Sequence, residues 1–474
     1  MKRLGVPGLM VFVALASGCL PEKRILWSKD GRTAAVLTPE GLRLSSAEGR
    51  LSGVVVPHVR RGVWVADQQR LALAVAHEAK TARELDGLLL PGQRTQLDSA
   101  ATRLREQALA FKGNWNDFHP TLQPGEGNGL MAAALLRLRD AQDAALRAHV
   151  GTEWDKLADL SATVWTVELA DVQEQTARVA APVLRTFEEI RALAVSPNGR
   201  LVAYLCQHGD QESLDLYAVD LQKPGAPRLV CAGVTFGFDW SPDSRSLAVM
   251  RASGYVPEKE GASLGAVTTL AVAGADGALL EPWGAQEELA GVLFGPMLAV
   301  KWLPDGRLIF SAAEVTLPAT TADMPNQVTF FAIDPRQKAT VTRLTPRSRP
   351  APLNAPEGLF ELSPDGSRAL FLGDQGAKVA VYTFATGETT WLRDQPGRGD
   401  EERIVPVWRT SDEVCYLARA PEVPGEEPRD ELVLRKLGGE PRPLSRTWKG
   451  EDVDTLMKGK PKPTTAPASQ PAKP

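Results

Sequence analysis

The carboxylates of this 474-residue chain recur in a pattern. Asp30, Asp67, Asp243, Asp305, Asp365 and Asp412, with Asn198 in one further copy, each stand at a break between two apolar runs, in phrases such as Ser-Pro-Asp-Gly. A carboxylate in a cleft can serve as general acid, base or nucleophile, and a pair across a channel would suit glycoside chemistry. The chain carries 58 acidic residues, however, so carboxylate pairs are expected by chance alone. An acid repeated at every break has a simpler chemistry. Asp and Asn side chains hydrogen-bond the backbone beyond them, Pro presets φ, and Gly supplies positive φ. The seven positions are read as structural turn residues, and no catalytic residue is assigned.

Other reactive types are sparse. The five histidines, His58, His77, His119, His149 and His208, show no metal-ligand spacing, and there is no HExxH or CxxC. A GxSxG nucleophile elbow, a P-loop and a dinucleotide fingerprint are all missing from the sequence. No metal and no cofactor are expected. Cys206, Cys231 and Cys415 are widely spaced inside apolar runs, which reads as buried free thiols and not as a disulfide framework. The net charge of −4 argues against a nucleic-acid binder.

The elements that carry the acids are legible. ILWSKDGRTAAVL begins at Ile25, GVWVADQQRLALAV at Gly62, ALAVSPNGRLVAYL at Ala192 and FDWSPDSRSLAVM at Phe238. AVKWLPDGRLIFSA begins at Ala299, LFELSPDGSRALFL at Leu359 and VPVWRTSDEVCYLA at Val405. Each phrase is a β-hairpin, with an inner strand, a turn, and an apolar second strand. The turn residues are separated by 37, 131, 45, 62, 60 and 47 positions. A basal period near 40 to 47 with insertions is that of a β-propeller, one four-stranded blade per repeat. A lone blade cannot bury both faces, so the ring must close. The fold class is therefore all-β, a propeller of seven blades. It has six if the Gly62 segment belongs to a helical domain instead.

The hairpins resemble the TolB-like propeller family and its tryptophan-aspartate-repeat-like relatives, with Pro304-Asp305-Gly306 and Pro364-Asp365-Gly366 the closest copies and the first, second and last departing from the motif. The resemblance covers about Ile25 to Trp448 and implies a propeller without chemistry of its own, which binds proteins or gates an enzyme. A prolyl-oligopeptidase-like hydrolase domain can follow such a propeller, and too few residues follow Trp448 to make one. The first residues are similar to a bacterial lipoprotein signal: Lys2 and Arg3, a short apolar core, then Leu15-Ala16-Ser17-Gly18-Cys19. That likeness implies removal of residues 1–18, lipidation of Cys19, and a cell-envelope location facing the periplasm or exterior, in the outer membrane where there are two.

A second composition interrupts the second blade. Residues 19–75 would hold the first blade and half of the second, residues 76–161 a helical hairpin or three-helix bundle, and residues 162–450 the rest of the propeller. Leu97, Ala101, Leu104, Ala108 and Phe111 form one apolar stripe, and Met131, Ala134, Leu135, Leu138, Ala141 and Ala145 another. A third helix is read from Val75 to about Leu89, broken by Pro91-Gly92. Trp115 and Phe118, in the loop between the longer helices, either contact a partner or plug the bundle end. The insertion and the longest loops fall at second-to-third strand connections, on one face of the ring, which predicts a single elaborated surface for recognition. Residues 451–474 read as a disordered Pro- and Lys-rich tail. The functional expectation is a membrane-anchored envelope lipoprotein, not an enzyme. Its propeller would bind another envelope protein or a cell-wall component through the helix-bearing face. The alternative is a propeller hydrolase or lyase with a site in the central channel.

Overall fold

The computed structural model describes residues 23 to 448 apart from internal stretches, the longest being 207–213, 256–265, 284–291, 315–326, 395–404 and 420–429. Cys19, Asp67, the signal segment and the tail lie outside the described residues. The chain is predominantly β, a β-propeller with one helical insertion. The first blade is an antiparallel sheet of Ile25–Trp27, Thr33–Thr38, Gly41–Ser46 and Val56–Pro57. The last is built the same way from Val407–Thr410, Glu413–Arg419, Asp430–Lys436 and Pro441–Pro443. Between them lie the blades whose innermost strands are Val59–Trp64, Ile190–Val195, the end of Arg228–Trp240, Val300–Trp302 and Phe360–Leu362. The strand Arg228–Trp240 serves two blades. Its first half pairs outward with Leu214–Asp220, and Phe238 to Trp240 pair with Leu247 to Val249 of the next hairpin.

Apolar strands in this arrangement pack face to face, and the core is a set of clusters at successive blade joints. Leu26, Leu44, Leu71 and Leu73 meet between the first two blades. Val65, Ala74, Val202 and Tyr204 fill the next joint. A larger cluster around Phe310, Phe330, Phe371 and Tyr382 joins the fourth to sixth. Ile25, Trp27, Val407 and Leu432 join the last blade to the first. The ends of the chain share no strand among the described residues. Closure rests on that cluster and on side chains: Arg409 Nε donates to Gly31 O at 2.8 Å and Trp448 Nε1 to Gly49 O at 2.8 Å. Tryptophans of the inner strands repeat the device around the ring. Trp64, Trp240 and Trp408 each donate their indole N–H to a carbonyl of the preceding blade's inner strand, at Leu26, Ala194 and Glu361. Each such bond contributes on the order of 1 kcal/mol.

The second blade is split as the sequence implies. Arg70–Ala79 pairs with Ala162–Gln173 over ten consecutive positions, from Arg70↔Asp171 to Ala79↔Ala162, and the helices lie between these strands. The helical segment is shorter than expected at its start. Val75 to Ala79 continue the strand, paired with Ala162–Gln173, with Val75 buried between blades and Ala79 buried against the helices, and helix α1 is confined to Ala82–Leu88. Helices α2 (Pro91–Ala110), α3 (Asn128–Asp140) and α4 (Ala144–Val150) follow. Pro91 does not merely end the first helix. It opens the second from its first position, where its missing N–H costs nothing and its fixed φ is helical. Thr81 and Asp143 cap α1 and α4, and the Arg137 guanidinium ties Asp86 at 2.6 Å to Asp98 at 2.9 Å, joining α1, α2 and α3. Helix α2 buries Leu97, Ala101, Leu104 and Ala108 of its expected stripe, but of the second stripe only Ala134 and Leu138 are buried. Helix α3 turns Leu130, Ala133 and Leu136 inward with them, Met131 and Leu135 are half-covered, and Ala141 and Ala145 are exposed, because α3 ends at Asp140 and Ala145 belongs to α4.

The insertion is seated on the ring by Phe187 and Val164 packed against the helices, by Gln93 Nε2 donating to Arg185 O at 3.0 Å, and by Glu188. Glu188 lies just ahead of the third blade's inner strand and is buried. Its carboxylate accepts from the amides of Gly129 and Leu130 at 3.2 Å each, at the start of α3. A negative group is favoured there by the unpaired amides and the helix dipole.

Candidate active site in the central channel

Six of the seven turn positions are described, and their side chains point into the turns. Asp30 Oδ1 takes the Ser28 hydroxyl at 2.7 Å and the Arg32 amide at 3.0 Å. Asn198 repeats this with Ser196 and Arg200 at 2.8 and 3.0 Å, and Asp243 with Ser241 and Arg245 at 2.6 and 3.1 Å. Asp365 takes the Ser363 hydroxyl and the Ser367 amide, Asp305 the Arg307 amide and guanidinium, and Asp412 the Thr410 hydroxyl. The hydroxyl two residues before the acid also receives an amide from the far side of the turn, as Ser241 does from Ser246 at 2.9 Å. The Ser in the motif is thus half of the turn's hydrogen bonding, a role sequence reasoning did not assign. These bonds hold the carboxyls of Asp30, Asp243 and Asp412 below the usual carboxylate range, the neighbouring hydroxyl being the largest cause.

A different set of acids faces the channel. Four residues ahead of the turn acid, in the middle of three consecutive inner strands, stand Asp239, Lys301 and Glu361. Lys301 Nζ lies 3.9 Å from Asp239 Oδ1, and the Trp302 amide donates to Asp239 Oδ2 at 2.8 Å. Lys23, just before the first blade, places its ammonium 3.0 Å from Glu361 Oε1. The last blade's inner strand lies between the two, with Trp408 Nε1 bonded to Glu361 O and Val407 packed with Ile25, so the pair spans that strand. The side chains of Asp239, Lys301 and Glu361 are about a quarter exposed, at 27, 28 and 26%.

The surroundings push the two carboxylates in opposite directions. Burial raises Asp239 above the ordinary range, and Lys301 and the Trp302 amide offset it only in part, since 3.9 Å is a weak pairing distance. Burial would raise Glu361 too, yet Lys23 and Lys301 together hold it below the ordinary range. Burial alone would lower Lys301, and the two carboxylates keep it charged. One carboxyl raised and another lowered by their surroundings is the kind of difference that lets two carboxylates take different roles in one site. Among the described residues no three His, Cys, Asp or Glu side chains group as metal ligands. His77 lies outside the channel, in the second blade, where its Nε2 meets Thr166 Oγ1 at 3.1 Å and Glu168 Oε1 at 3.2 Å.

The residues expected to meet a partner are placed elsewhere. Trp115 and Phe118 pack with Phe111 at the end of the bundle, ring centroids 5.1 to 5.4 Å apart, and Trp115 meets His149 edge-on at 5.6 Å. They are half-buried against the bundle core. The large exposed apolar side chains among the described residues, Val54, Leu90, Val179, Leu229 and Trp391, are scattered over several elements. Cys206, Cys231 and Cys415 are buried free thiols, and burial pushes all three above their ordinary range.

The chain matches no protein-family model and no curated protein. Solved propellers resemble it at low identity. A puromycin-hydrolyzing peptidase of Mycobacterium tuberculosis is 13% identical with a TM-score of 0.45, over 86% of this chain and 49% of that one. The propeller domain of the Trilobed protease from Pyrococcus furiosus is 13% identical at 0.37, over 59% and 77%. Hydrazine synthase of Kuenenia stuttgartiensis is 10% identical at 0.41, over 77% of each chain. This chain thus spans about half the length of the mycobacterial peptidase. At such identities the likeness concerns the fold. The expectation of a docking scaffold that is not an enzyme is nevertheless corrected: the solved structures it resembles in fold include peptidase propellers. In this chain the aromatic residues assigned to docking are committed to the bundle. The sequence reading missed Asp239, Lys301, Glu361 and Lys23; their signal was a charged residue at the same offset before three successive turns, where the other four copies carry Leu26, Val63, Ala194 and Trp408. The comparisons support a β-propeller architecture for this chain.

Proposed function

We propose that this propeller is a hydrolase with its site in the central channel. Asp239 is the proton donor to the leaving group, Glu361 is the ionised carboxylate that draws a proton from attacking water, and Lys301 between them supports the negative charge that develops. The observation that carries this reading is the grouping of Asp239, Lys301 and Glu361 at equivalent positions of three consecutive inner strands, with Lys301 Nζ 3.9 Å from Asp239 Oδ1; the opposite pull of their surroundings, Asp239 upward and Glu361 downward, agrees with it. Proton transfer by a positioned side chain contributes typically 10² to 10⁴-fold to a rate, so Asp239→Asn and Glu361→Gln should each lower turnover by about that factor. The test is a panel of chromogenic glycosides and of aminoacyl and peptidyl 4-nitroanilides, assayed with the full chain and both variants. Turnover that survives both substitutions, or none in any class, would overturn the proposal.

The inner strands fit a closed ring of seven blades of the TolB-like kind, and this is the count we propose. The likeness of residues 1–19 to a lipoprotein signal further supports an anchor on Cys19, with the channel enzyme held at the cell envelope. Metabolic labelling with an alkyne fatty acid should mark the expressed chain and leave Cys19→Ala unlabelled; equal labelling of both would remove the anchor.

A further inference from the structure

The Lys23–Glu361 pair is unlike the other ion pairs of the ring. Lys23 belongs to no strand, while Glu361 is in the middle of the inner strand Phe360–Leu362, and the contact joins residues 338 positions apart whose side chains are both partly exposed. We propose that Glu361 is the receptor for a ligand's primary ammonium group, and that Lys23 is a tethered stand-in which fills the receptor until that ligand arrives. The inference rests on the channel reading given above and names the class of molecule the site takes.

Three observations support it. The backbone next to Lys23 is fixed, since the Leu37 amide donates to Arg24 O at 2.8 Å, so Lys23 can leave Glu361 by turning its side chain alone. Its side chain is 42% exposed even while paired, which gives it water to leave into. The Lys23 ammonium meets Glu361 at Oε1, 3.0 Å away, so the carboxylate already accepts a primary ammonium there. Lys301 and Asp239 lie beside this anchor, so a molecule held there by its ammonium presents neighbouring oxygen atoms to one cation and one proton donor. The amino terminus of a peptide and an amino sugar share that chemistry: an ammonium within a few bonds of a hydrolysable oxygen- or nitrogen-bearing linkage.

The experiment is calorimetric titration of the full chain with n-butylammonium, glycylglycinamide and glucosamine, with N-acetylated glycylglycinamide and N-acetylglucosamine as probes lacking the charge. A tethered competitor acts at a millimolar effective concentration when its linker is short. Removing it in Lys23→Met should tighten binding of the charged probes about tenfold, and Lys23→Arg, which restores a cation, should return the affinity of the original chain. Glu361→Gln should abolish the binding in either background, while the acetylated probes bind no better to Lys23→Met. Equal affinity of the original chain and Lys23→Met, or binding retained in Lys23→Met with Glu361→Gln, or no binding of any amine, overturns the inference. The Lys23 variants alter a side chain outside the sheets, so their result stands even if Glu361→Gln fails to fold. Stronger response to glycylglycinamide or to glucosamine separates the two sources. Turnover read on the same samples keeps the two proposals apart. Amine binding that survives in Asp239→Asn, with no turnover in any sample, removes only the hydrolase. Turnover with amine binding indifferent to Lys23 and Glu361 removes only the ammonium receptor.

Discussion

Replacing Gly129 by Ala sets two effects against each other, and the structure decides the sign. Gly129 is in the first turn of α3, where Ala is favoured over Gly by up to about 1 kcal/mol on helix propensity. A Cβ built there would stand 1.8 Å from Phe187 O and 2.6 Å from its carbonyl carbon. Both obstacles are backbone, so the helix must move off the ring by roughly 1 Å to restore a normal contact. Overpacking of that kind costs about 1–3 kcal/mol. The movement also stretches the two bonds from Gly129 and Leu130 to Glu188, both already 3.2 Å, and hydrogen bonds to a charged group contribute about 1.5–3 kcal/mol each. The expected net loss is about 2–4 kcal/mol, confined to the seat of the insertion. Hydrogen exchange with mass spectrometry should show α1 to α4 losing protection while the blade strands keep theirs, and limited proteolysis should cut first between residues 80 and 161. Gly92→Ala is the control, because a Cβ there meets nothing within 4 Å; it should be neutral or stabilising by about 0.5–1 kcal/mol. If Gly129→Ala is as protected as the original chain, the close approach of α3 to Phe187 is wrong and the account of how the helices are seated falls with it.

Other outcomes follow from the same contacts. The turn carboxyls of Asp30, Asp243 and Asp412 lie below the ordinary 3.8, so the stability they add is present above that value and is lost as pH falls through their lower folded values. Acid unfolding monitored by circular dichroism should therefore set in below about pH 4, and Asp243→Asn, which imitates the natural Asn198 turn, should flatten that limb; an unchanged limb counts against these bonds. Ser363→Ala removes a buried hydroxyl that donates to Asp365 and accepts the Arg368 amide at 3.0 Å, and should lower stability by about 1–2 kcal/mol in urea titration, with no loss counting against the hydroxyl's role. The Cys415 thiol, pushed up to about 12 by burial, should not react with a disulfide reagent at pH 8 until the chain is unfolded; rapid reaction of the native chain would contradict its burial.

The propeller was readable because its signal is local and repeated. A Ser, Pro, Asp, Gly turn between apolar runs specifies a hairpin through contacts within six residues, as the bonds of Ser241, Asp243 and Ser246 display. The split of the second blade was readable too, since the helical composition ends where alternating strand residues resume and Ala79 meets Ala162. The helix start was misjudged because Val75 and Ala79 are equally apolar in a strand or a helix, and only their pairing with Thr166 and Ala162 across the sheet selects the strand. Trp115 and Phe118 carry no mark in the sequence of whether they face a partner or each other.

The sequence by itself determined the closed all-β ring and its turn chemistry, because a hairpin with two apolar faces has to be covered on both sides and the period supplies the covers. The meeting of Lys23, Asp239, Lys301 and Glu361 was decided only by tertiary structure. Their positions lie 62, 60 and 338 residues apart, they share no local bond, and in one dimension each is an ordinary charged residue of a strand or its lead-in. Curvature of the ring brings their strands together, burial there raises both carboxyls, and the ammonium groups set them apart: Lys23, 3.0 Å from Glu361, and Lys301 lower that one, while Lys301, 3.9 Å from Asp239, offsets its burial only in part.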